Sequence, residues 1–263
     1  MKSGTVIQVS HQLMEPQPAA ARIKKENKFT SAFTLLGLLS QIDLVDRLIG
    51  GLKSDSVVLI SGSGIRLCAA ESYCVRTQLP ERSGGLNGKA FFIDGGNGFD
   101  VYLFTSIARE NGIDLDGALG KLIVSRAFTP YELKQLVCRD SSAVFSRHDP
   151  RLLVVSDIFS LFNQDVEEAE AQRLMHKITA TIRRISERRK IPIVMTAAGV
   201  PEHLKLFADY CCNVEAEFLE QENRLTARLL KHPSRAPVEV ITEMGDPSYN
   251  QLLLSPLKVT KYG

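Results

Sequence analysis

The chain of 263 residues contains no tryptophan and only five cysteines, no two of which form a C-x-x-C pair. An odd number of cysteines without such pairs excludes a disulfide framework and disfavours a structural zinc site. We therefore expect reduced thiols, as in intracellular proteins, and no bound metal. The cysteines are Cys68, Cys74, Cys138, Cys211 and Cys212.

Long apolar runs and a prevailing sign of charge are missing too. The longest apolar runs have the length of a strand, which leaves no segment for a transmembrane helix. The polar N-terminus lacks the apolar region of a signal peptide. The 32 Lys and Arg side chains nearly balance the 30 Asp and Glu, so the net charge is +2 and any surface that attracts a polyanion must be local. These absences predict a cytoplasmic protein with no membrane partner.

What is present is an alternation of strands and helices. Buried strands such as Ala90–Asp94 and Leu152–Val155 alternate with helical stretches such as Glu167–Lys190. This order predicts a doubly wound α/β fold around a parallel sheet. Beyond residue 205, three short strands joined by polar turns predict an antiparallel extension. We assign residues 1–28 to an N-terminal arm or linker and residues 29–263 to one core domain.

The stretch Val57–Leu67 is typical of a buried strand, a glycine turn and a helix start. In nucleotide-binding α/β proteins a phosphate binds at such a turn, because loop amides and the helix N-terminus meet there. The phosphate-loop pattern is G-x-x-x-x-G-K-[S/T], with its Lys on the phosphates and its hydroxyl on Mg²⁺. In register, these four positions are Ile60, Ile65, Arg66 and Leu67. The scaffold of the motif is present, but its chemistry is missing.

Several segments resemble the recombinases of the RecA superfamily, in particular archaeal RadA and its eukaryotic relatives. They are QLPERSGGLNGKAFFID (78–94), SRAFT (125–129), LLVVSD (152–157) and VITEMGDP (240–247). The resemblance implies a RecA-like doubly wound, mostly parallel central sheet with a C-terminal antiparallel extension. It also implies a role in homologous recombination and DNA repair.

The departures from that family remove catalytic groups. The family's second strand ends in I-D-T-E, whose Glu polarises the attacking water, whereas this chain has the sequence IDGG over Ile93–Gly96. The Asp that supports Mg²⁺ after the fourth strand is replaced by Ser156, and Asp157 comes one residue late. On a strand this delay turns the side chain to the other face, although the backbone at a strand's end could still re-aim it. Phosphoryl transfer depends on positioning and charge stabilisation by such groups. We therefore expect no ATP hydrolysis, no catalytic residue and no ATP or Mg²⁺ cofactor.

A degenerate nucleotide site remains at Gly62, Ser63, Gly64, Arg66 and Asp157. Its loop still offers backbone amides, so nucleotide binding without hydrolysis stays open. A weak ATPase rebuilt around Arg66 and Asp157 is a further alternative. Because an arginine pairs with phosphate and with carboxylate, Arg66 is either an anion ligand or a solvated or salt-bridged residue at the helix start.

One family element is retained ahead of the core. In recombinase filaments an F-x-x-A linker inserts its Phe and Ala into pockets of the neighbouring protomer, and this chain has Phe29 and Ala32 in the matching position. The alternative is a helix start that packs against its own core. The resemblance therefore implies a catalytically silent RadA paralogue that docks on a RadA-type recombinase as an accessory or mediator protein. A homo-oligomer or a complex with another paralogue stays open.

Direct binding of single-stranded DNA is the other alternative. The family's first DNA loop is here short and acidic over residues 163–170, and the second shrinks to roughly residues 198–203. Cations instead gather on one predicted helix, at Arg183, Arg184, Arg188, Arg189 and Lys190. They form either a solvated helix face or a DNA-binding surface, which would place the protein at the nucleoid.

Overall fold

The computed structural model describes residues 6–7, 37–162 and 166–243. Within these ranges nine strands form one sheet in the order β1-β4-β3-β5-β6-β2-β7-β8-β9. The strands are β1 (Val6–Ile7), β2 (Val57–Gly62), β3 (Ala90–Asp94), β4 (Leu122–Arg126), β5 (Leu152–Ser156), β6 (Ile193–Ala197), β7 (Val214–Gln221), β8 (Arg224–Lys231) and β9 (Val238–Glu243). The helices are α1 (Asp43–Ile49), α2 (Ile65–Gln78), α3 (Val101–Glu110), α4 (Leu115–Gly120), α5 (Pro130–Gln135), α6 (Ser141–His148), α7 (Glu168–Arg189) and α8 (Lys205–Cys211).

The six central strands, from β4 to β7, run parallel. Strand β1 pairs antiparallel with β4 at one side of the sheet, and β8 and β9 continue the other side antiparallel. The predicted mostly parallel, doubly wound sheet with a C-terminal antiparallel extension is confirmed. The extension consists of β8 and β9, because β7 runs parallel to β2, with Val58 opposite Val214.

Helices cover both faces of the sheet, and the strands are therefore apolar on both sides. Successive residues of a strand point to opposite faces. On β3, Phe92 packs into the core formed with helices α1 to α4, whereas Phe91 packs into the core formed with helices α5 to α8. Both side chains are at most 1% exposed. Two cores on one sheet explain why the parallel strands are continuous apolar runs in the sequence.

The sequence pattern predicts one helix, Tyr131–Cys138, after β4, whereas the structure has two helices joined by a π-helical turn. Helix α5 begins at Pro130, with the Thr129 hydroxyl accepting a hydrogen bond from the Glu132 amide at 3.1 Å. A π-helical turn over Leu136–Asp140 then leads into α6. The polar start of α6 and the short, glycine-containing α4 give no clear helical periodicity, so neither helix is predicted from the sequence.

The parallel strands define two ends of the sheet. We call the end where they finish the carboxyl edge and the end where they begin the amino edge. Ligands of open α/β sheets bind in the crevice outside the carboxyl edge. Among the helices in the described ranges, none has both the length and the apolar character needed to cross a membrane.

Candidate functional site

The turn that is expected to bind a phosphate is instead paired as part of the sheet. Ser61 pairs with Ala197 on β6, and Gly62 pairs with Phe218 on β7. Gly62 has a φ of +101°, and a Cβ there would lie 2.0 Å from the Phe218 carbonyl oxygen. The Ser63 amide donates to that same oxygen at 2.6 Å. The expectation that Ser63 offers its amide to an anion was therefore wrong, because β2 extends into the loop.

The side chain of Arg66 closes this turn from the first turn of α2. Its Nε donates to Oδ1 of Asp157 at 2.8 Å, and its Nη2 donates to Oδ2 at 3.1 Å. Its Nη1 donates to the carbonyl oxygens of Gly62 and Ser63, both at 2.9 Å. Bidentate pairing of this kind is the strongest that an arginine makes with a carboxylate. We call Arg66 and Asp157 the clasp.

The clasp is largely buried, with 14% of the Arg66 side chain and 8% of the Asp157 side chain exposed. A cation in the first turn of a helix opposes the helix dipole, and the Asp157 carboxylate offsets this effect. Of the alternatives for Arg66, the structure therefore shows the salt-bridged residue. A phosphate could reach this guanidinium only by displacing Asp157.

The one-residue delay of Asp157 is compensated by its backbone. Strand β5 ends at Ser156, and Asp157 takes a left-handed conformation with a φ of +46°. Asp is among the few residues that adopt this conformation readily. The Asp157 amide donates to the Thr196 hydroxyl at 2.9 Å. This turn aims the carboxylate at Arg66, which is the re-aiming at the end of a strand that the sequence left open.

A second pair of opposite charges lies beside the clasp. Asp94 is fully buried and accepts hydrogen bonds from the amides of Gly98 at 3.0 Å and Phe99 at 3.3 Å. It also accepts from Nε of Arg126 at 3.0 Å. Asp94 and Arg126 are opposite each other at the ends of neighbouring parallel strands. That shared position was the signal that could have predicted the pair, which the sequence analysis missed.

Two glycines of the loop after β3 make room for the clasp. Gly96 holds the position of the family's water-polarising Glu, and a Cβ on it would lie 2.5 Å from the Cβ of Asp157. A Cβ on Gly98 would lie 3.3 Å from Leu67, the residue at the Mg²⁺-binding hydroxyl position of the motif. The residues at this site therefore do not fit a magnesium-bound nucleotide phosphate in the manner of the phosphate-loop motif.

Glu71 of α2 fixes the start of the neighbouring helix. Its side chain is buried, and its Oε1 accepts a hydrogen bond from the Asp100 amide at 2.8 Å. Burial raises the pKa of Glu71 to about 8, so this carboxyl is mostly protonated at neutral pH. Asp100 in turn caps α3, accepting from the amides of Tyr102 and Leu103 at 2.8 and 3.2 Å. Nothing in the sequence pattern marks Glu71 as a functional residue.

The five cations of the predicted DNA-binding helix face do not act as one surface. Arg183 lies over the Tyr210 ring, 5.0 Å from its centroid, and donates to the Tyr210 carbonyl oxygen at 2.8 Å. Arg184 donates to the hydroxyl of Thr181 at 3.3 Å. Lys190 forms an ion pair at 3.3 Å with Asp55, in the segment before β2.

The remaining two cations, Arg188 and Arg189, are exposed at the end of α7. They lie at the amino edge, away from the clasp. The predicted docking residues Phe29 and Ala32 lie outside the described residues.

Comparisons with known proteins agree with the resemblance seen in the sequence. Residues 37–209 match the family model described as Rad51. A meiotic recombination protein DMC1 homolog from Lilium longiflorum is 32% identical over 131 residues, which is 48% of this chain and 37% of that protein. The homolog from Arabidopsis thaliana is 31% identical over 160 residues, or 58% and 46%. The matched region thus spans less than half the length of these curated relatives.

Proposed function

This chain belongs to the Rad51 family, and from that premise we propose that it works in homologous recombination as a non-catalytic accessory protein. Its partner in this proposal is a RadA-type recombinase. Docking occurs through Phe29 and Ala32, and the core serves as a platform rather than as an ATPase.

The clasp is the observation that carries this proposal. Arg66 donates four hydrogen bonds to Asp157 and to the carbonyl oxygens of the turn, so the chain fills its own phosphate position. Hydrolysis would need a carboxylate at Gly96, where Asp157 leaves no room for a side chain. A core held in this way needs no nucleotide to keep its shape, which suits a constitutive binding platform.

The F-x-x-A segment supplies the proposed contact. A buried aromatic anchor in a partner's pocket is typically a hot spot of about 2 kcal/mol or more, which is roughly thirtyfold in affinity. Phe29 is such an anchor, and Ala32 is small enough to enter a second, shallower pocket. Charged residues at both positions should therefore abolish binding.

The test is calorimetric titration of this protein into the recombinase of the same organism, with and without ATP. The anchor variant is Phe29→Glu/Ala32→Glu. The matched control is Thr30→Glu/Ser31→Glu, which adds the same charge to the same segment and leaves both anchors in place. We expect micromolar or tighter binding by the wild type and the control, and none by the anchor variant.

Other outcomes decide against the proposal. Equal binding by the anchor variant would remove the docking segment from it, and no binding by the wild type would remove the recombinase as partner. Release of phosphate from ATP by this protein alone would contradict the non-catalytic role.

A further inference from the structure

The amino edge of the sheet carries a group of cations that the sequence does not show as a cluster. Lys89 and Arg151 are the residues immediately before β3 and β5, which are neighbouring parallel strands with Ala90 opposite Leu152. The Arg151 amide donates to the Lys89 carbonyl oxygen at 2.8 Å. Two cationic side chains therefore start from adjacent points of this edge.

Two helices end at the same edge and add further cations. Helix α6 ends with Arg147 and His148, and α7 ends with Arg188 and Arg189. The Arg189 guanidinium lies 4.8 Å from the centroid of the Phe145 ring, on α6, which brings the two helix ends together. We call Lys89, Arg147, Arg151, Arg188 and Arg189 the amino-edge cluster.

Carboxylates neutralise little of this cluster. Arg151 and Arg189 both lie 4.0 Å from Asp149, which is the only acidic partner of the cluster within the described residues. In the same ranges, Lys89, Arg147 and Arg188 form no ion pair. Five cations therefore face one carboxylate.

Burial first, and nearby positive charge second, lower the pKa of a neighbouring histidine. His148 has its pKa lowered by partial burial and by the charges of Lys89 and Arg147. Clustered cations of this kind attract a polyanion even when the whole chain is close to neutral.

Helix dipoles explain only part of the arrangement. Cations near the last turn of a helix are stabilised by the negative end of the dipole, which accounts for Arg147, Arg188 and Arg189. Lys89 and Arg151 precede strands and gain nothing from a helix end. Because they converge with the helix-end cations, the dipole alone does not account for the cluster.

We propose that the amino-edge cluster binds the phosphodiester backbone of a nucleic acid. The choice of nucleic acid among polyanions rests on the proposed function in recombination. The surface lies at the opposite end of the sheet from the clasp, and it includes only Arg188 and Arg189 of the cations that the sequence analysis had selected.

The test measures fluorescence anisotropy of a labelled oligothymidylate of about 30 nucleotides, and of a duplex of equal length, over a series of KCl concentrations. Comparing the two oligonucleotides shows whether the cluster binds the backbone of single-stranded or of double-stranded DNA. The full chain is used throughout. The cluster variant replaces three cations without ion pairs in the described ranges: Lys89→Gln, Arg147→Gln and Arg188→Gln.

The matched control removes the same charge from α5, from α8 and from the first residue of β8. It combines Lys134→Gln, Lys205→Gln and Arg224→Gln. We expect the cluster variant to bind at least about tenfold more weakly near 50 mM KCl. The slope of log affinity against log salt should also fall by about 2, which is roughly 0.7 for each of three phosphate contacts. The control should stay within about twofold of the wild type, and all three proteins should melt at the same temperature.

Several results would overturn the proposal. They are no binding of DNA by the wild type, equal weakening in the control, no weakening in the cluster variant, and competition by polyglutamate as strong as that by unlabelled DNA. Recombinase docking is measured separately with the anchor variant. If docking fails but DNA binding still depends on the cluster, the proposed function is contradicted and the proposal for the cluster holds. If docking succeeds but DNA binding does not depend on the cluster, the proposal for the cluster is contradicted and the proposed function holds.

Discussion

Breaking the clasp should destabilise the protein far more than breaking a surface ion pair. At a charge separation of about 4 Å and an effective dielectric constant of about 20, the two groups attract by about 4 kcal/mol. Removing one partner of a buried pair typically costs about 3–5 kcal/mol, because the other charge stays buried without compensation. We therefore expect Arg66→Gln and Asp157→Asn each to lower the free energy of unfolding by about 3 kcal/mol. The double variant should lose little more than either single one.

Asn is chosen at position 157 because it tolerates the left-handed backbone there, so that the loss reports the charge rather than strain. The assay is urea unfolding of the four proteins of this cycle, with linear extrapolation to water. The control is the same pair of substitutions at Arg47 and Asp43, an ion pair whose side chains are 69% and 31% exposed. Its coupling energy should stay below about 0.5 kcal/mol. A clasp coupling no larger than this would refute the reasoning, since Arg66 and Asp157 would then behave as solvated charges.

Three further predictions concern the same end of the sheet. Because the folded protein holds a proton on Glu71 that the unfolded chain has released, stability should fall as the pH rises from about 5 to about 8, by at most roughly 5 kcal/mol. Glu71→Gln should match the wild type near pH 5 and exceed it in urea unfolding near pH 8.5; parallel pH profiles would contradict the buried, protonated carboxyl. Gly62→Ala should lower the free energy of unfolding by roughly 2–4 kcal/mol, because its Cβ would meet the Phe218 carbonyl oxygen. Gly120→Ala is the control, because a Cβ there has nothing within 4 Å, and it should stay within about 1 kcal/mol of the wild type. Millimolar MgATP should raise the melting temperature no more than MgCl₂ does; a ligand at about a hundredfold its Kd would add about 2.7 kcal/mol, so a rise of several degrees would refute the closed site.

The parallel strands could be predicted from the sequence, since they depend on local patterns. The clasp could not, although Arg66 and Asp157 were each selected. They lie 91 positions apart, and their contact depends on the left-handed backbone of Asp157. Strand alternation predicts the opposite face for that side chain, and only tertiary contacts such as the bond to Thr196 decide otherwise.

Glu71 and the amino-edge cluster could not be predicted from the sequence, for different reasons. Helix α2 is buried on nearly all sides and carries polar residues inside, so its amphipathic pattern is weak and Glu71 does not stand out. The cluster draws single cations from loops and helix ends far apart in the sequence. A net charge of +2 and short windows of sequence cannot show that the fold brings these cations together.

The contact between Gly96 and Asp157 limits how such a site changes over evolutionary time. A carboxylate side chain introduced at position 96 would bring its Cβ within 2.5 Å of Asp157 and push Asp157 from Arg66, which would leave a buried guanidinium unpaired. If Asp157 or Arg66 changed first, the same uncompensated charge would arise before any gain in chemistry. Any route to a carboxylate at position 96 by single substitutions therefore passes through a less stable protein, so this contact constrains all three positions together.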